Sequence, residues 1–142
     1  MKKLLAMGIA GALAAGFAFT AFAQGGAGNE VSTAHAHALM AQNAKTITEA
    51  HAHLHHVINC LVGPKGAGFD AQAEDPCKGQ GNGAITDSAN DQAMHGKLQN
   101  ALADAQSGLK SDSLDGVHAD AAKAAAALGA TPTQKPKGSY SW

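Results

Sequence analysis

The stretch Ala34–Gly63, AHAHALMAQNAKTITEAHAHLHHVINCLVG, decides how this chain is read, because it carries both its most regular apolar pattern and six of its eight histidines. Ala, Leu, Met, Gln and Lys dominate it, all of them good helix formers. Gly63-Pro64 stops it, with Gly63 suited to a left-handed cap and Pro64 unable to continue a helix. The composition predicts one long helix from Asn29 or Ser32 to about Leu61. At about 100° per residue, Leu39, Met40, Ile47, Ala50, Leu54, Val57, Ile58 and Leu61 fall on one stripe of that helix.

Working outward, Lys65–Gly83 is a loop rich in Gly, Asp and Pro, and such a long loop in a compact domain needs tying down. A second helix is expected from Thr86 or Asp87 to about Ser107, with Met94, Leu98, Ala101, Leu102, Ala105 and Leu109 on its apolar side. A third is expected from Asp112 or Ser113 to Leu128-Gly129, striped by Leu114, Val117, Ala121, Ala125 and Leu128. The expected fold is all-α: a small antiparallel bundle of three helices, the first long, with a disulfide-pinned loop between helices 1 and 2. Three short stripes bury a modest area, which a homodimer forming a larger bundle would extend.

The two ends are read as something other than fold. Lys2-Lys3, an apolar run from Leu4 to Thr20 and the small residues of Ala21-Phe22-Ala23 have the order of a bacterial signal peptide, with cleavage after Ala23. This divides the chain into a signal peptide (1–23), a helical domain (24–130) and a flexible tail (131–142), and it places the mature protein in the periplasm or outside the cell. No membrane association is expected after cleavage. Removing residues 1–23 takes away Phe17, Phe19 and Phe22 and leaves Phe69, Tyr140 and Trp142 as the aromatics. The core must then come from Ala, Leu, Ile, Val and Met, which favours thin, closely approaching helices of marginal stability. Eight lysines, no arginine and eleven acids remain, a mildly acidic balance that lacks the basic footprint of a nucleic-acid binder.

Cys60 and Cys77 are the only cysteines. In an exported chain an even count reads as a disulfide, and this one would close the Gly/Pro loop on the end of the first helix. The alternative is thiolate ligation of zinc or copper by Cys60 and Cys77 with His56.

Imidazole is the commonest protein ligand for transition metals. On a continuous first helix, His51 and His55 form an i, i+4 pair able to reach one ion, and His37 falls at nearly the same angle. His35 and His53 share the opposite edge, and His56 lies farthest from the stripe and is expected to be exposed. Residues two apart diverge by about 200° on a helix, so the H-x-H pairs cannot chelate there. His95 and His118 flank the stripes of their own helices and could complete a site built on His51 and His55. The expected cofactor is a transition-metal ion, copper, zinc or nickel, with Met40 or Met94 adding a preference for Cu(I). Such binding should weaken as pH falls through about 6.5.

Two further readings stand beside this one. The histidines could act as a pH switch in an exported interaction or stress protein, with helicity lost between about pH 7 and 5. A b-type haem could sit between His95 and Met40, although C-x-x-C-H is absent and aromatics are few. Nothing in the sequence assembles a nucleophile, base and oxyanion site, so no enzyme is expected.

Overall fold

A computed structural model of the chain describes residues 26–129; the signal-peptide and tail assignments, 1–23 and 131–142, lie outside the described residues. All described regular structure is helical, in five elements: α1 Gly26–Asn43, α2 Ile47–Val62, α3 Ala84–Asp87, α4 Gln92–Gly108 and α5 Leu114–Gly129. The expected all-helical class holds, but the three-helix count does not.

The first correction falls inside the opening stretch. The single long helix is broken at Ala44–Thr46, which reverses the chain into an antiparallel hairpin of α1 and α2. Thr46 is extended (φ −134°, ψ 153°) and caps α2, its hydroxyl accepting from Glu49 N–H at 3.1 Å. The Glu49 carboxylate reaches back to accept from Lys45 N–H at 3.0 Å. At the other side of the turn, Asn43 Nδ2 donates to the Leu39 carbonyl at 2.8 Å, occupying one of the acceptors that the end of α1 exposes. Thr-x-x-Glu is the order of a capping box, so local polar chemistry overrides the helix propensity of the flanking alanines.

The second correction lies before α4. The helix expected from Thr86 or Asp87 is two elements, the single turn α3 and then α4, which starts afresh where Asp91 accepts from Met94 N–H at 3.0 Å. Of the other boundaries, α1 begins at Gly26 rather than at Asn29 or Ser32, while the ends of α2 and α4 and the bounds of α5 fall within two residues of expectation. Gly63 ends α2 at φ 69°, its N–H bonded to the Asn59 carbonyl at 2.9 Å. A side chain there would run into the backbone of Asn82, so glycine serves both the positive φ and the close approach. Ser113 Oγ accepts from Gly116 N–H at 3.2 Å in the first turn of α5.

Four long helices pack in a ring: α1 against α2 and α5, and α4 against α5 and α2. His118, near the start of α5, touches Ala44 at the end of α1, while the last residue of α5, Gly129, lies by His35. α5 therefore runs antiparallel to α1.

The interior follows the poverty in aromatics. Alanines 34, 38 and 41 of α1 and 121, 124 and 125 of α5 are buried where those helices meet the rest of the bundle, and Leu54, Leu61, Leu98, Leu128, Val31, Val57 and Val117 supply the bulk. Leu39 and Met40, assigned to the apolar stripe of a continuous helix, are exposed instead, at 41% and 49%. Once the chain reverses at residues 44–46, the phase linking them to Leu54 and Leu61 no longer exists.

The loop between α2 and α3 is pinned as expected. Cys60 and Cys77 form a disulfide with Cα atoms 5.2 Å apart. Asn59, wholly buried, binds the same loop through three hydrogen bonds: Nδ2 donates to the carbonyls of Asp70 (2.9 Å) and Glu74 (3.2 Å), and Oδ1 accepts from Asp70 N–H (2.8 Å).

Candidate metal centre

The hairpin sets the position of every histidine in the opening stretch. Its turn is centred on Lys45, so residues equally far from it on α1 and α2 face each other, and His37 and His53 are such a pair. His53 and His56 are three apart on α2, adjacent on one helix face. The three rings meet: His37 Nδ1 lies 3.1 Å from His53 Nδ1 and 3.3 Å from His56 Nδ1. Their centroids are 4.7–5.7 Å apart, and His56 stands edge-on to both other rings. Among the described residues this is the one group of three or more histidine, cysteine or carboxylate side chains whose ligand atoms all lie within 4.8 Å of one another.

The nitrogen spacing has a chemical meaning. Four-coordinate zinc with Zn–N bonds of about 2.0–2.1 Å holds neighbouring ligand nitrogens about 3.3–3.4 Å apart. The nitrogens of His37 and its two neighbours are already near that separation before any rearrangement. Without an ion, the single lone pair of His37 Nδ1 can accept from Nδ1–H of one neighbour at a time. An ion would be held by the ring-nitrogen lone pairs, with the ring protons on Nε2.

Electrostatics favours the neutral rings that ligation needs. Burial, and after it the nearby His56 and His53, lower the pKa of His37 to about 4 against a smaller opposing effect of the Glu74 carboxylate. His56 is lowered for the same reasons, burial first and then His53. All three rings are half-buried, so His56 is not the exposed outlier that the one-helix projection implied.

The remaining candidates are turned to other neighbours. His51 and His55 do lie one turn apart on α2, but His55 Nδ1 meets Asp70 Oδ2 at 3.0 Å, and His51 Nε2 is buried with no hydrogen-bond partner among the described residues. His95 Nδ1 faces the Ile85 carbonyl at 3.1 Å and so joins α4 to α3. His118 Nε2–H donates to the Ala44 carbonyl at 2.9 Å, fastening α5 to the α1–α2 turn. His35 packs against Gly129, its Nε2 3.2 Å from where a side chain there would begin. Of the leading set His51, His55, His37, His95 and His118, only His37 enters the cluster; of the second edge, His35 and His53, only His53 does. The disulfide commits Cys60 and Cys77, so neither thiolate joins His56 as a ligand. For the haem alternative, Met40 lies on α1, whereas His95 lies on α4, which packs chiefly on α5 and α2.

A continuous-helix projection could not have found the His37–His53–His56 set, because it joins residues on both sides of the turn. The signal was nevertheless present in Thr46-Ile-Thr-Glu49, which breaks the helix and folds the two histidine clusters together.

A second polar feature lies at the far end of the bundle. Glu30 of α1 is 1% exposed; Oε1 accepts from Gly83 N–H at 2.8 Å, and Oε2 is buried without a partner among the described residues. Burial, then the nearby Asp87 and Asp75 charges, raise its pKa to about 7 against the lowering effect of the Gly83 bond. Glu30 also borders a cavity of about 430 Å³ beside the disulfide, lined further by Asn59, Pro64, Phe69 and Gly81. No residue type or spacing in the sequence marked it out.

No described helix is long and apolar enough to cross a membrane. Comparison of the chain with family models, with curated proteins and with solved structures finds no match.

Proposed function

We propose that this protein is an exported, non-enzymatic binder of a transition-metal ion, which it sequesters, buffers or delivers, and that His37, His53 and His56 are the protein ligands. The observation that carries the reading is the convergence of three imidazole nitrogens, with spacings of 3.1 and 3.3 Å about His37. Half-burial and a lowered His37 pKa support it, since they keep the lone pairs free of protons at neutral pH. Export rests on the pattern of residues 1–23. Imidazole ligands suit zinc, copper, nickel and cobalt in their divalent states.

Titration calorimetry with Zn(II), Co(II), Ni(II) and Cu(II), on mature protein free of any histidine tag, tests the proposal. The wild type should bind a single ion of the preferred metal per chain. The His37→Ala/His53→Ala/His56→Ala variant should lose that binding, whereas His51→Ala/His55→Ala should retain it. Undiminished binding by the first variant would overturn the assignment. A metal-induced rise in thermal midpoint gives an independent reading, since ion at about a hundredfold over Kd adds about 2.7 kcal/mol to the folded state.

A further inference from the structure

The three histidines would leave one position of a four-coordinate ion open, and the loop after α2 is stapled to the helix that carries His53 and His56. On α2, His55 and Asn59 are an i, i+4 pair that turns toward the loop, and His56 stands one turn before Cys60. His55 holds the Asp70 carboxylate, Asn59 holds the Asp70 and Glu74 backbone, and Cys60 holds Cys77. Glu74 is thus fixed between two anchors, with its own carbonyl bound one turn beyond His56. Its side chain is exposed, and its carboxylate has no hydrogen bond or ion pair among the described residues. Asp70, by contrast, has both oxygens engaged, Oδ1 with Gln72 N–H and Oδ2 with His55. Glu74 is also the acid whose charge acts on both His37 and His56.

Resting on the metal reading above, we propose that Glu74 closes over the His37–His53–His56 site as its fourth, anionic ligand, and that the Cys60–Cys77 disulfide holds it within reach. Three neutral imidazoles leave a divalent ion with its full double charge in a half-buried site. One carboxylate halves that charge and completes a three-nitrogen, one-oxygen set. This ligand set favours Zn(II), Co(II), Ni(II) or Cu(II) over Cu(I), which prefers sulfur donors. In the proposed closure the carboxylate arrives by rotation of its side chain, its backbone being anchored to the helix that carries two of the histidines.

The test measures Zn(II) and Co(II) affinity in wild type, Glu74→Gln and Cys60→Ala/Cys77→Ala, each confirmed helical by circular dichroism. Loss of Glu74 should weaken Zn(II) binding by about tenfold or more and alter the visible absorption of the Co(II) complex. Without the disulfide the affinity should also fall, and adding Glu74→Gln there should cost less than it does in the crosslinked protein. If wild type and Glu74→Gln bind within about twofold of each other while the three-histidine variant does not bind, this inference fails and the histidine assignment survives. If wild type binds none of Zn(II), Co(II), Ni(II) and Cu(II), both fall. The Glu74→Gln comparison is made in crosslinked protein, so it decides the matter even where the cysteine variant unfolds.

Discussion

Replacing Glu30 with glutamine should make the protein more stable at alkaline pH and leave it nearly unchanged in mild acid. The carboxyl is buried, and its pKa rises from 4.5 to about 7 on folding. A group whose folded pKa exceeds its unfolded one stabilises the fold fully below the unfolded value, and this contribution is lost as pH rises through the folded value. For Glu30 the window runs from 4.5 to about 7. At 1.36 kcal/mol per pKa unit the full span is about 3 kcal/mol, and about 2 after allowing for the carboxylate lying just under the Gly81–Gly83 loop. Glutamine keeps the acceptor for Gly83 N–H and cannot ionise. Urea unfolding of metal-free wild type and Glu30→Gln at about pH 5 and about pH 8 measures the effect. The stability difference should move in favour of the variant by about 2 kcal/mol between the two conditions. An equal difference at both would mean that Glu30 does not ionise within that range, and the argument from its burial would be wrong.

His37 should produce the opposite slope. Its folded pKa of about 4 lies below the ordinary imidazole value of 6.5, so metal-free protein should lose stability as pH falls across that interval, and His37→Asn in a Glu30→Gln background should flatten the loss in urea melts. Metal retention should accordingly persist below about pH 6.5, the midpoint expected of ordinary imidazoles, as read by zinc release to a chromophoric chelator over an acid titration. Cys60→Ala/Cys77→Ala should cost about 3 kcal/mol in the chain-entropy model, seen as a lower urea midpoint; the crosslinked residues are 17 apart. Thr46→Ala removes the hydroxyl that caps α2 and should cost about 1 kcal/mol by the same measurement. Because that cap sets the hairpin, the same variant should also bind zinc more weakly.

Much of the fold was legible in the residues. The helical class, the stop at Gly63-Pro64, the start of α5 near Ser113 and the Cys60–Cys77 crosslink all follow from local chemistry: helix propensity, the φ freedom of glycine, hydroxyl capping and cysteine count. The helix count failed where polar capping opposed propensity, at Thr46 with Glu49 and at Asp91. Those errors carried through to the site. Treating α1 and α2 as one rod placed His37 beside His51 and His55 and sent His56 to the far side.

Imidazoles concentrated on helices, few aromatics and one disulfide were all readable from the residues, because composition and spacing along the chain are local properties. Which imidazoles meet depends on how the helices pack. His37 lies 16 residues from His53 and 19 from His56, and what joins them is a reversal at Ala44–Thr46. The buried Glu30 was equally hidden: its partner is the Gly83 backbone, 53 residues away. An angle on a helical wheel has meaning only within one continuous helix, and across a turn the packing of alanine faces sets the register.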